Sequence, residues 1–164
     1  IDPFYLTWKA SEYGEWTRFI ELAGEINTRM PHYVVRKLSD ALNDERKSLK
    51  GARVLVLGLA YKADIDDDRE SPSYEIIELA QEAGAEVSYC DPYFPVARKS
   101  RKHDISMASV PCTADSFASF DAIVVATAHT QFKDAGLYAR VPLVVDTRNL
   151  LTGKGPGPKR VVRA

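Results

Sequence analysis

The sequence predicts an α/β protein, a doubly wound and mostly parallel sheet preceded by a helical extension. Three observations carry this. The apolar runs at 54–57, 122–126 and 143–145 show no polar alternation, as expected of strands buried on both faces of a parallel sheet. Helices or long loops separate those runs, as parallel crossovers require. Ahead of them, residues 17–47 carry apolar side chains at helical rather than strand spacing.

Taken in order, Ile1, Asp2, Pro3 and Phe4 open on an apolar, turn-bearing segment with no Met, as expected of an excised piece. Phe19, Ile20, Ala23 and Ile26, then Val34, Leu38 and Ala41, form the helical stripe. Pro31 suits a first turn better than a helix interior, so one helix is expected to end near Arg29 and another to run from Pro31 to about Lys47. Opposite the stripe, Arg36, Lys37, Asp40, Asp44, Glu45 and Arg46 make a solvated face. Lys50 and Gly51 break the pattern before the first strand. Ser71 can cap the next helix with Pro72 in its first position, Ile76, Ile77, Leu79, Ala80 and Ala83 face inward, and Gly84 ends it. A strand at 86–90 leads through Asp91 and Pro92 into a weakly patterned basic stretch ending at Lys102, with a short strand expected near Val110. After the strands at 122–126 and 143–146, residues 153–158 read as a Pro/Gly turn and 160–163 as a short edge strand. The division expected is 1–49, a helical connector, and 50–164, the α/β domain.

Composition narrows the function classes. A chain of 164 residues with 45% hydrophobic side chains buries one good core. A net charge of −1, from 22 basic and 23 acidic residues, creates no bulk field for nucleic acid or an anionic membrane, so neither is expected as a partner. No apolar run approaches membrane-spanning length, and the reading is of a soluble, cytoplasmic chain. Cys90 and Cys112 lack metal-ligand spacing and are read as reduced; no metal site stands out.

In open α/β sheets ligands bind beyond the carboxyl ends of the strands, so the informative residues follow strands. After the first strand, Gly58 stands alone, with Ala60 and Lys62 where a dinucleotide-binding turn would place further glycines, which disfavours a standard NAD site. That loop offers Tyr61, Lys62 and Arg69 around Asp64, Asp66, Asp67 and Asp68. Lys62 is a point charge for a phosphate and Arg69 a planar fork for bidentate recognition, unless the aspartates merely neutralise them in a solvated loop. Asp91 fits a ribose hydroxyl or an Asx-type turn. Arg148 follows a buried strand and faces the ligand crevice or makes a surface ion pair; His129 makes a polar ligand contact or bonds backbone.

These residues, in order along most of the chain, resemble the C-terminal domain of the UDP-glucose/GDP-mannose dehydrogenase family. The resemblance is carried by the run from Gly51 to Lys62, the acidic loop, the segment Arg69, Glu70, Ser71, Pro72, Ser73, then Gly84 to Val87 and Asp91, Pro92, Tyr93. The opening from Ile1 to Ala10 is similar to the segment just after the catalytic cysteine in the branch that oxidises UDP-N-acetylglucosamine or UDP-N-acetylmannosamine. The resemblance implies a Rossmann-like sheet that holds the UDP part of a UDP-sugar, in an enzyme oxidising the sugar 6-hydroxyl to a carboxylate with NAD bound mainly by another, N-terminal domain. It also implies a homodimer or higher homo-oligomer. By it, Asp2 matches the aspartate that assists proton movements at the cysteine, Tyr61 and Lys62 match an aromatic-lysine pair on the substrate, Arg148 a substrate-binding arginine, and Arg69 an arginine reaching to NAD. Neither Cys90 nor Cys112 matches the nucleophile, so the chain alone is expected to be inactive.

Two other classes fit parts of the sequence. One is a flavodoxin-like or receiver-like binding module whose acidic loop takes a metal or phosphate, although here the acids follow one strand only. The other is a dimerisation scaffold whose surface is the helical region at 17–47, with Val34 and Leu38 on it.

Overall fold

The computed structural model describes residues 2–97, 99, 103, 105–152 and 157–164, with Asp2 described in its backbone only. Contacts divide the chain into two compact units, Ile1–Met30 and Pro31–Ala164. The second unit takes in residues 31–44 of the helix that precedes the sheet.

The first unit opens with helix α1 (Asp2–Ser11), where a turn was expected; Pro3 lies in its first turn, where proline costs a helix least. Helix α2 (Arg18–Asp44) then runs without interruption through Pro31. This corrects the expected pair of helices. Proline removes one N–H from the ladder and its ring crowds the carbonyl four residues back, and packing of the following turns outweighs that cost. Pro31, Val34, Val35, Leu38, Ala41 and Leu42 are all buried. Val34 and Leu38 are thus core residues of the second unit and not a docking surface, so the scaffold reading loses the two residues it named. Phe19, Leu22 and Ile26, in the first half of α2, are exposed.

The second unit contains β1 (Arg53–Leu57), α3 (Pro72–Glu82), β2 (Glu86–Cys90), the short α4 (Ala114–Phe117), β3 (Ala122–Val125), two 3-10 turns (Thr130–Lys133 and Ala135–Tyr138), β4 (Leu143–Asp146) and β5 (Arg160–Arg163). All strand pairs are parallel and the order is β2-β1-β3-β4-β5. Alternation along β1 explains why its sequence reads as unbroken apolar residues. Val54 and Val56 join a core with Leu38, Leu42, Ile77 and Tyr74 from α2 and α3. Leu55 and Leu57 point the other way, into a core with Phe117, Phe132 and Tyr138. Helix α3 begins as expected, with Ser71 accepting from the Ser73 N–H and Pro72 in the first turn. It ends in a Schellman arrangement: Gly84, at φ +88°, donates to Gln81 O and Ala85 to Ala80 O.

The expected strand near Val110 is reduced to single bridges, Tyr89 with Ser109 and Val96 with Ala108; Pro111 follows and offers no N–H to extend the ladder. The basic stretch ending at Lys102 and the Pro/Gly turn lie mostly outside the described residues. Among the described residues, no helix is long and apolar enough to cross a membrane.

Candidate functional site

The register levels the carboxyl ends of the strands. Leu57 pairs with Cys90 on one side and Val125 on the other, and Val125 pairs with Asp146. The loops after β1, β2, β3 and β4 therefore leave one edge. The strand order reverses between β1 and β3, the point at which such sheets bind ligands.

At that point Gly58 is required. Its φ is +87°, and a Cβ there would meet the Thr127 Cβ at 2.4 Å and the Thr127 carbonyl oxygen at 2.8 Å. Thr127 thus packs directly against the turn after β1, and only glycine fits at its first position. The Thr127 hydroxyl donates to Ala60 O at 2.6 Å and the Ser73 hydroxyl to Gly58 O at 2.7 Å, closing the base of the crevice.

Asp91, at the end of β2, organises this base. One carboxylate oxygen accepts from the Leu59 N–H (2.6 Å), the Ala60 N–H (3.0 Å) and His129 Nε2 (3.0 Å); the other accepts from the Tyr93 N–H (2.7 Å) and the Phe94 N–H (3.2 Å). Burial opposes its ionisation, but the bonds from His129, Tyr93, Ala60 and Leu59 outweigh burial and hold the carboxyl below its usual range. With both oxygens engaged, Asp91 serves the turn and the loop, not a ribose. His129 is fully buried, and its Nδ1 accepts from the Asp64 N–H at 2.9 Å. The proton therefore resides on Nε2, facing Asp91. Asp64 sits in the left-handed region, φ +61°, and its carboxylate accepts from both the N–H and the hydroxyl of Thr130. Those bonds hold its carboxyl below the usual range. The acidic loop is thereby stapled to the exit of β3.

Asp146 does the same work at the end of β4. It is buried and accepts from the Arg148, Leu150 and Leu151 N–H groups and from Arg163. Neither this lock nor the link through Asp91, His129 and Asp64 was found by sequence reasoning. An aspartate as the last or next residue of two buried strands was the available signal.

On these bases stand the expected ligand residues. Tyr61 is 48% exposed, and its N–H closes the loop onto Asp67 O at 2.8 Å. Lys62 is exposed, with its ammonium 5.7 Å from the centre of the Tyr61 ring. Arg148 is exposed, and its side chain has no bonded partner among the described residues. The loops bearing Lys62 and Arg148 leave strands separated only by β3, about 10 Å of sheet. Arg69 behaves differently. Its guanidinium forks onto Asp67 at 2.9 and 2.8 Å, and this bond from Arg69 holds the Asp67 carboxyl at about 2. Asp2 belongs to the other compact unit, and its side chain lies outside the described residues. A cavity of about 420 Å³, lined by Pro3, Phe4, Phe19, Ile20, Ala23 and Gly24 among others, also belongs to that unit and not to the rim.

The two cysteines are unlike: the bond from Cys90 lowers the half-buried Cys112 thiol. Cys90 is buried, and its bond to Cys112 together with that burial pushes its thiol far up.

Residues 55–153 match the UDP-glucose/GDP-mannose dehydrogenase family, UDP binding domain. The chain is 32% identical over 136 residues to a UDP-N-acetyl-D-glucosamine 6-dehydrogenase of Pseudomonas aeruginosa, an alignment covering 83% of this chain and 31% of that one. Among solved structures it is similar to a UDP-D-ManNAc dehydrogenase from Pyrococcus horikoshii, with TM-score 0.74 and 29% identity over 94% of this chain and 34% of the other. It is also similar to a UDP-glucose dehydrogenase from Pyrobaculum islandicum, with TM-score 0.73 and 30% identity over 88% and 32%. The chain spans about a third of the length of the curated relatives it matches.

Proposed function

Because the chain belongs to the UDP-glucose/GDP-mannose dehydrogenase family and holds its UDP binding domain, we propose that the rim at the carboxyl edge of the sheet grips the diphosphate of a UDP-sugar. The observation that carries this reading is the exposure of Lys62 and Arg148 on loops leaving one sheet edge, two strand spacings apart. A diphosphate lying across the exit of β3 can accept from both, with Arg148 supplying a planar fork and Lys62 a mobile point charge. Tyr61 offers a half-exposed ring beside Lys62 for the ligand to lie against. The buried links beneath them keep the loops from collapsing onto that charge.

In the whole enzyme this domain is the C-terminal, substrate-holding part of a cytoplasmic nucleotide-sugar 6-dehydrogenase acting on UDP-N-acetylmannosamine or UDP-N-acetylglucosamine. NAD supplies the hydride acceptor and is held mainly outside these residues, with Arg69 able to reach it once it exchanges Asp67 for an anion. Asp2 assists proton movements at the cysteine thiol. Exposed Phe19, Leu22 and Ile26 supply an apolar face for assembly into a homodimer or higher oligomer.

Calorimetric titration with UDP tests the proposal. Wild type is expected to bind weakly and saturably, Lys62→Ala and Arg148→Ala each to bind about tenfold more weakly with unchanged melting temperature, and no NADH to form from UDP-N-acetylmannosamine. Unchanged UDP binding in both variants removes these residues from the site.

A further inference from the structure

Away from the rim, α3 carries Glu75 and Glu78 one turn apart, on one face of the helix. Two histidines from other segments meet that face. His103 Nδ1 lies 2.7 Å from a Glu78 carboxylate oxygen, and His32 Nε2, from α2, lies 4.0 Å from a Glu75 oxygen. One ligand atom each from Glu75, Glu78 and His103 falls within 4.8 Å of the other two. The His103 ring is held in place, stacked on Tyr74 with centroids 5.4 Å apart and planes 12° from parallel. Tyr74 is buried and anchored by its hydroxyl on Asp68.

From this geometry we propose that Glu75, Glu78 and His103, with His32 as the fourth ligand, form a binding site for a divalent ion of the zinc class. Two imidazoles and two carboxylates are a borderline N/O set that suits zinc, whereas magnesium and calcium take oxygen ligands. Four such ligands stand about 2.0–2.2 Å from zinc, so the cluster must contract. Glu75 and His32 do that by side-chain rotation, since they are 42% and 63% exposed, whereas Glu78 and His103 are already in contact. The ion takes the place of the direct His103–Glu78 contact and neutralises two carboxylates. It joins residue 103, in the long connection between β2 and β3, to both α2 and α3. Its role is structural, because its ligands lie on helices α2 and α3 and in that connection, not in the rim loops that carry Tyr61, Lys62 and Arg148.

The test is titration of the purified 164-residue chain, free of any histidine tag, with Zn²⁺ by calorimetry and with Co²⁺ by absorption. One equivalent of Zn²⁺ is expected to bind, Glu78→Gln and His103→Ala each to weaken it at least about tenfold, and His32→Ala to weaken it less. Zn²⁺ is expected to raise the melting temperature of wild type but not of Glu78→Gln or His103→Ala, each compared with its own metal-free value. The assignment is overturned by absence of saturable binding, by affinity unchanged in both variants, or by a thiolate-to-cobalt band that vanishes in Cys112→Ser. UDP titration is a separate readout and does not bear on this site.

Discussion

Asp91 and Arg148 both follow a strand at the same edge of the sheet, yet they live in opposite surroundings. Asp91 is buried with both oxygens engaged by five donors, whereas the Arg148 side chain is exposed and carries no bonded partner among the described residues. The difference teaches that this edge separates holding from recognition. Charge already satisfied inside the protein stabilises the loops, and charge left open is available to a ligand.

The separation is broken most directly at Asp91. Asp91→Ala leaves four backbone N–H groups and His129 without their acceptor, and is expected to cost about 3–5 kcal/mol in urea unfolding. A loss below about 1 kcal/mol would mean that the bonds are not a foundation. Gly58→Ala follows: it combines a left-handed φ with a collision on Thr127 backbone, and about 2–3 kcal/mol of destabilisation is expected. A loss below about 0.5 kcal/mol would mean that the turn accommodates a side chain at that position.

Arg148→Ala and Lys62→Ala sharpen the other side. Each is expected to weaken UDP by about tenfold, near 1.4 kcal/mol, with no shift in the urea midpoint. The double variant is expected to depart from additivity, because both cations hold the same diphosphate. Acid offers a finer probe. The Asp91 carboxyl is held below its unfolded value, so its contribution is complete above about pH 4 and drains away as pH falls through the lower folded value. Wild type should therefore lose stability on the acid side of pH 4 more steeply than Asp91→Asn, measured by urea midpoints across that range. The smallest effect belongs to Arg69→Ala. Its pair with Asp67 is exposed and solvent-screened, so no change in urea midpoint or in UDP binding to this chain is expected.

Much of the fold was legible because its signals are local. The apolar runs of β1, β3 and β4, the Ser71 and Pro72 start of α3 and its Gly84 stop all act within a few residues of themselves. Local signals failed where distant packing won. Pro31 was expected to divide α2, yet burial of Val34, Leu38 and Leu42 carries the helix through it. Lys62, Tyr61 and Arg148 could be nominated from their place after strands, since the edge they share follows from topology alone. Asp91 and His129 could not be ranked, because their partners lie 38 residues apart from one another and more than 30 from Leu59 and Ala60.

What the sequence by itself determined is the layered parallel sheet, the family resemblance and the edge at which ligands are met, because hydrophobic periodicity and turn chemistry are written in adjacent residues. Only the tertiary structure decided which polar side chains are consumed in holding the loops and which stay open, and that Glu75, Glu78 and His103 converge. A side chain's charge is given by its identity, but whether that charge is spent depends on donors brought from elsewhere in the chain.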